Sequence, residues 1–233
     1  METATGSCRA VVFDMDGVLI DSEPLWQEAE SEAFAAVGVR LRGEDMVQTV
    51  GLRIDEVTAH WFRHSPWPGP TPTEVAGRIV DRMVERVAER GTPIPGARRA
   101  VAGARQRGAA LALASSSPRR LIAAVLARFA LEDAFDAVVS AEDERYGKPH
   151  PAVFLSAAAA LGVPPAECLV VEDSLNGVVA AKAARMPCVA IPDPRQRDDP
   201  RFVLAEEVLG SLEELDAAVW GRWLAPPGPK DPT

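Results

Sequence analysis

The chain has little cysteine, lysine, histidine or tyrosine, and no long apolar run. Its three cysteines, Cys8, Cys168 and Cys188, are an odd number with no CxxC pair. A disulfide framework or zinc site is not expected, and reduced thiols in a cytoplasmic protein are. No apolar stretch reaches the roughly 20 residues that span a bilayer, so no membrane partner is expected. The opening METATGSCRA has no basic region followed by an apolar one, so no secretory signal is read there. Positive charge is outnumbered, 25 basic against 34 acidic residues, for a net charge of −9. Without a basic run, nucleic acid is not expected as a partner. The acidity leaves room for a phosphorylated substrate, because a bound metal ion can supply positive charge locally. Lysine is confined to Lys148, Lys182 and Lys230, and every other basic residue is Arg. Each Lys therefore raises the question whether an ammonium is required there.

What is present is an ordinary soluble composition, with 47% apolar residues over 233 positions. That suits one generous domain, or a domain with a smaller one. The run Ala10–Phe13 reads as a buried strand ending at Asp14. Ser22 to Val37 reads as a helix, with Pro24 in its first turn and Gly38 as its stop. A second helical pattern covers 53–64, and HSPWPGPTPT is a proline-packed loop. Residues 73–90 form the clearest helix, with Thr73 as a candidate cap. Its arginine stripe, Arg78, Arg82, Arg86 and Arg90, reads as a solvated face. From residue 97 onward helices and strands alternate. Helices are expected at 97–107, 119–129, 152–161 and 174–184, and strands at 109–114, 136–140, 168–171 and 188–191. That alternation implies an α/β fold with a parallel sheet covered on both faces. The helical stretch 22–91 interrupts it as an insertion after the first strand. The core then comprises residues 1–21 and 92–224, and 225–233 reads as a disordered tail.

In an open parallel sheet, ligands bind beyond the carboxyl ends of the strands. Asp14 and Asp16 follow the first strand, with Gly17 permitting a tight turn. Ser115 follows the second, Lys148 lies in the loop after the third, and Glu172 and Asp173 follow the fourth. Singly, each residue has an ordinary explanation as a turn former, helix cap or surface group. Together they bring several acids to one edge, where unpaired carboxylates repel. A divalent cation relieves that repulsion, and carboxylates without His or Cys suit Mg²⁺. The metal ligands expected are Asp14, Asp16 through its backbone carbonyl, Asp173, and Glu172 through water. Asp14 is the expected nucleophile toward phosphorus and Asp16 the acid and base. Ser115, with Ser116 beside it, would bind phosphoryl oxygens, and Lys148 would neutralise nucleophile and phosphate.

FDMDGVLIDSE, LASSS, the Lys148 of GKPHPAVF, and VVEDSLNGVVAAKAA resemble, in order, the four motifs of the haloacid dehalogenase superfamily. The resemblance spans roughly residues 9–192. It implies a Rossmann-like core with an inserted α-helical cap at 22–91, and the same residue roles. DSEPLWQEAE, GLRIDEV, the Trp-Pro-Gly-Pro loop and DPRFVLA resemble the bacterial hexitol phosphatase and 2-deoxyglucose-6-phosphate phosphatase group. That implies Mg²⁺-dependent hydrolysis of small sugar and sugar-alcohol phosphates by a monomer.

Asp16 departs from true dehalogenases, which lack the second aspartate. Trp26 stands where β-phosphoglucomutases carry a His. The alternatives are a phosphomutase and a non-catalytic sugar-phosphate sensor. Arg53, Glu23 and Trp26 are the cap residues expected to contact substrate beyond the phosphate. His60, His64 and His150 are expected to be structural or exposed.

Overall fold

The computed structural model describes residues 8–49 and 51–224. Strand β1 (Ala10–Phe13) is four consecutive buried apolar residues, the signature of a strand covered on both faces. It lies inside a sheet with β2 (Ala110–Ser115), β3 (Ala137–Ser140), β4 (Cys168–Glu172), β5 (Cys188–Ala190) and β6 (Glu207–Val208). The order is β3-β2-β1-β4-β5-β6 and every pairing is parallel. This is the expected α/β architecture, with the strand order reversing between β1 and β4.

Alternate residues of the strands serve two cores. Val11, Phe13, Leu111, Leu113, Leu169 and Val171 face one side, with α5 (Ala97–Gln106), α6 (Arg119–Phe129) and α9 (Ala217–Trp223). There Phe13 meets Phe135 and Trp220 edge-on at 6.2 and 6.3 Å. Ala10, Val12, Ala112, Ala114, Cys168 and Val170 face the other side, with α7 (Ala152–Leu161) and α8 (Leu175–Ala183). Small side chains on that face let the alanine-rich helices approach closely. Cys8, Cys168 and Cys188 are buried, and none of them forms a disulfide.

Between β1 and α5 the chain makes α1 (Glu23–Ala36), α2 (Gly43–Met46), α3 (Ile54–His64) and α4 (Pro72–Arg90). Helix α4 packs on α1 and α3, and also on α6. Trp67, from the proline-rich loop, sits edge-on to Phe34 and Phe62 at 5.9 and 4.8 Å. The outgoing and returning connections run side by side. Asp21 N–H donates to Thr92 O at 3.0 Å and Ile94 N–H to Leu19 O at 3.1 Å.

The structure departs from the sequence expectations in several details. Thr71, not Thr73, caps α4, because Thr71-Pro72-Thr73-Glu74 forms a reciprocal capping box with Pro at the first helical turn. In the arginine stripe Arg78, Arg82 and Arg90 are exposed as expected, and Arg86 is the exception. Arg86 reaches Glu32 at 2.6 Å and Glu28 at 3.5 Å on α1, and its side chain is largely covered. Glu172 closes β4 rather than following it. The strand β6 and helix α9 were not expected. A two-residue strand has no readable period, and AAVWGRW is too short for one. The tail expected at 225–233 lies outside the described residues.

Candidate active site

Register sets the site. Phe13 pairs with Leu113 on one side and Val171 on the other. The next residues therefore leave the sheet at one level: Asp14 from β1, Ser115 at the end of β2, and Glu172 and Asp173 at the end of β4. Lys148 enters from the loop between β3 and α7. Its Nζ lies 2.9 Å from Asp14 Oδ1 and 2.6 Å from Glu172 Oε1, and donates to Ala114 O at 3.4 Å. The stem passes over the Phe154 ring, with Nζ 4.8 Å from its centroid.

Burial works against the Lys148 ammonium, yet Asp14 and Glu172 beside it outweigh that and hold its pKa above the ordinary lysine value. One ammonium does not balance three acids. Burial pushes Asp14 up to about 8 against the pull of Lys148, and Glu172 and Asp16 push the same way. Burial and the nearby Glu172 and Asp14 likewise raise Asp173 well above the usual carboxylate range. Asp14, Glu172 and Asp173 each present an oxygen within 4.8 Å of the others. Such a crowd of oxygens with one counter-charge fits a hard divalent cation. Glu172 is fixed on both sides: its Oε2 accepts from Ser174 N at 2.7 Å and Ser174 Oγ at 3.0 Å. Gly17 makes the close approach possible. Its φ is +70°, and a Cβ there would stand 1.9 Å from Asp173 Oδ2.

Asp16 faces differently and contributes no carboxylate oxygen to that cluster. Its Oδ1 accepts from Ser22 Oγ at 2.6 Å and Trp26 Nε1 at 3.0 Å. Its Oδ2 accepts from Ser117 Oγ at 2.7 Å, with Ser115 Oγ at 3.5 Å. Ser22 begins α1 without capping it, because its hydroxyl is spent on Asp16. Ser115 is buried and its Oγ accepts from Ser117 N at 3.0 Å.

A cavity of about 420 Å³ opens between the sheet edge and the helical segment. Asp14, Asp16, Ser116, Ser117 and Asp173 line one side, and Glu23, Trp26, Gln27 and Glu30 of α1 line the other. Arg53 is not among its lining residues. Its Nη1 donates to Ala141 O at 3.0 Å and Glu144 O at 2.7 Å, and its Nε to Asp55 at 2.9 Å. With Glu56, which accepts from Gly147 N at 3.2 Å, it ties α3 to the loop that carries Lys148. Ser116 Oγ adds a tie to Gly51 O at 3.1 Å. His60 and His64 stack on each other at 4.3 Å away from the cavity lining, and His150 Nδ1 accepts from Ala152 N at 3.3 Å.

Sequence reasoning missed Ser22, Ser117, Gln27 and Glu30. Ser117 carried a signal, as the third residue of LASSS. Glu30 carried one too, as an acid beside Ala29 on the apolar stripe of α1.

Comparison with known proteins shows the family of the chain. The haloacid dehalogenase-like hydrolase family profile matches residues 8–185. The chain is 48% identical over 209 residues to Hexitol phosphatase B of Escherichia coli strain K12, covering 89% of this chain and 94% of that protein. It is 32% identical over 218 residues to Protein CbbY of Cereibacter sphaeroides, covering 89% and 94%. Among solved structures, CbbY of Rhodobacter sphaeroides in complex with xylulose-(1,5)bisphosphate superposes with a TM-score of 0.85 at 29% identity, covering 93% of this chain and all of that one. A β-phosphoglucomutase from Clostridium difficile superposes with a TM-score of 0.80 at 21% identity, covering 91% and 95%, which speaks to the fold alone. The chain belongs to the haloacid dehalogenase-like hydrolase family, as one of its phosphatases.

Proposed function

We propose that this enzyme hydrolyses phosphomonoesters of small sugars and sugar alcohols, hexose and hexitol phosphates among them, through an aspartyl-phosphate on Asp14. One observation carries the reading. A nucleophilic carboxylate paired with a buried ammonium faces the same cavity as a second carboxylate held by three donors. The likeness to Hexitol phosphatase B supports the substrate class. In this reading residues 1–21 and 92–224 are the catalytic core, and 22–91 are a cap that closes the cavity.

An Asp14 oxygen attacks phosphorus while the bond from phosphorus to the ester oxygen breaks. Asp16 delivers a proton to the departing alkoxide. Water then attacks the phosphoryl group, Asp16 takes its proton, and the bond to Asp14 breaks to release inorganic phosphate. Lys148 offsets the negative charge of Asp14 and the phosphoryl group as the two anions approach. Ser115 and Ser116 supply hydroxyls at the phosphoryl end. A divalent cation, Mg²⁺ by the chemistry of the donors, would be held by Asp14 and Asp173 beside Glu172. It would supply charge stabilisation for the phosphoryl oxygens. Trp26 counts against a phosphomutase, since its indole N–H donates only and holds Asp16 rather than cycling a proton.

The test is a panel of hexose and hexitol phosphates assayed with and without Mg²⁺, using wild type and Asp14→Asn. Phosphate release that requires Mg²⁺ and vanishes in Asp14→Asn is expected. Unchanged turnover in the variant would remove Asp14 from the mechanism. Isomerised sugar phosphate in excess of free phosphate would favour the mutase.

A further inference from the structure

The buried face of α1 carries Leu25, Ala29 and Phe34, and among them one acid, Glu30, which is only 8% exposed. Among the described residues no hydrogen bond or ion pair reaches it, and the charge it feels is that of Glu23, of its own sign. Glu30 lines the cavity, as do Glu23, Trp26 and Gln27. The spacing 23, 27, 30 stacks three polar side chains along one face of the helix. The two ends of that row differ. Trp26 holds Asp16, while Glu23 accepts from Gln27 Nε2 at 2.8 Å and lies 4.0 Å from Arg195 Nη2. Glu30 stands about one turn on from Trp26 and two turns, about 10 Å along the axis, from Glu23, with nothing to bind. A largely buried carboxyl group that faces a cavity without a protein partner is costly, and such groups persist where a ligand completes them.

We propose that Glu30 is a substrate-binding residue that exchanges hydrogen bonds with a hydroxyl at the end of the substrate remote from its phosphate. The proposal rests on the phosphatase reading above and narrows it. The substrate is a phosphomonoester whose hydroxylated chain or ring is long enough to reach from Asp14 to Glu30, so six-carbon phosphates are preferred over three-carbon ones. Burial, with Glu23 adding to it, raises the Glu30 carboxyl to about 8. At neutral pH it carries a proton and both donates and accepts, which matches a hydroxyl.

The test compares wild type, Glu30→Met and Glu30→Asp in Mg²⁺ at pH 7. For each, kcat/KM is measured with sorbitol 6-phosphate and with glycerol 3-phosphate. Glu30→Met is expected to lower the six-carbon to three-carbon ratio by about tenfold or more, chiefly through KM. Glu30→Asp keeps the carboxyl but draws it back by one methylene, and is expected to lower the ratio by about threefold. Glu30→Met is also expected to unfold at a higher temperature than wild type, whereas a purely structural glutamate would leave it less stable. A ratio within about twofold of wild type in either folded variant overturns the proposal. A wild type active on both substrates with unchanged variant ratios sinks the Glu30 assignment alone. A wild type inactive on both sinks the phosphatase reading and this inference with it.

Discussion

Lys148 places its ammonium 2.9 Å from Oδ1 of Asp14, in a setting where the side chains are 1% and 9% exposed. An ion pair so deeply placed gains little net stability, because stripping water from both ions offsets their attraction. In the proposed mechanism its value lies in keeping a carboxylate next to Glu172 and Asp173 in one position, ready to meet an anion.

Replacing Lys148 by Met leaves Asp14 and Glu172 buried without their shared cation. Breaking such a pair costs about 3 kcal/mol in folding stability. Urea unfolding of Lys148→Met at pH 7.5 is expected to show that loss, with phosphate release down by about a thousandfold or more. Equal stability of variant and wild type would mean that Lys148 does not hold the acids together.

The raised carboxyls of Asp14 and Asp173 make cation binding compete with protons. A proton held by either carboxyl would have to leave for Mg²⁺ to bind, so the binding expected of the ion weakens as pH falls. Affinity measured by titration calorimetry is expected to rise between pH 6 and 8, with proton release seen in buffers of different ionisation enthalpy. Mg²⁺ at about a hundred times its dissociation constant stabilises the fold by about 2.7 kcal/mol. Chelation removes that gain, and Asp173→Asn abolishes most of it. A pH-independent affinity would contradict the raised carboxyls.

Asp16 depends on Ser22, Trp26 and Ser117 for its direction. Trp26→Phe keeps an aromatic ring but removes the N–H, and Ser117→Ala removes the hydroxyl. Each is expected to lower kcat about tenfold, with KM changed much less, since the loss falls on proton transfer rather than on binding. Steady-state kinetics that show the reverse split would assign both residues to substrate contact.

Glu30 also predicts a stability slope. Its carboxyl titrates near 4.5 when unfolded and near 8 when folded, so between those values the folded state holds the extra proton. Stability from this group is therefore full below about 4.5 and is lost as pH rises toward 8. The loss is about 1.4 kcal/mol per pH unit and about 5 kcal/mol in total. Denaturant unfolding from pH 5 to 8 is expected to show a steeper fall in wild type than in Glu30→Gln. Parallel curves would mean that Glu30 finds a partner in solution.

The order of elements could be read along the chain because its signals are local. The strand at Ala10–Phe13 and the helices at 119–129 and 152–161 fall where their apolar patterns and turn residues put them. Asp14, Lys148, Glu172 and Asp173 were legible for a related reason. Parallel strands send their carboxyl ends to one edge, so topology alone gathers the residues just beyond those ends. The cap of α4 was misplaced by two residues because both threonines offer a hydroxyl, and only the reciprocal bonds of Thr71 with Glu74 choose between them.

Arg53 and Glu30 were legible only in part, because a residue number does not say what lies opposite its side chain. Arg53 sits in the expected helical segment, yet its guanidinium bonds to Ala141 and Glu144, about ninety residues away. Glu30 has a pattern that places it on the inner face of α1, but whether that face meets packed side chains or an open cavity depends on how the helices seat on the sheet. Local sequence accounts for the succession of strands along the chain, the tight turn at Gly17 and the acids at the strand ends, since each rests on short-range sterics and hydrophobic period. Three-dimensional packing alone settles that Asp16 turns toward Ser22, Trp26 and Ser117, and that Glu30 lines the cavity. Those outcomes depend on contacts between segments far apart in the chain, which no local pattern encodes.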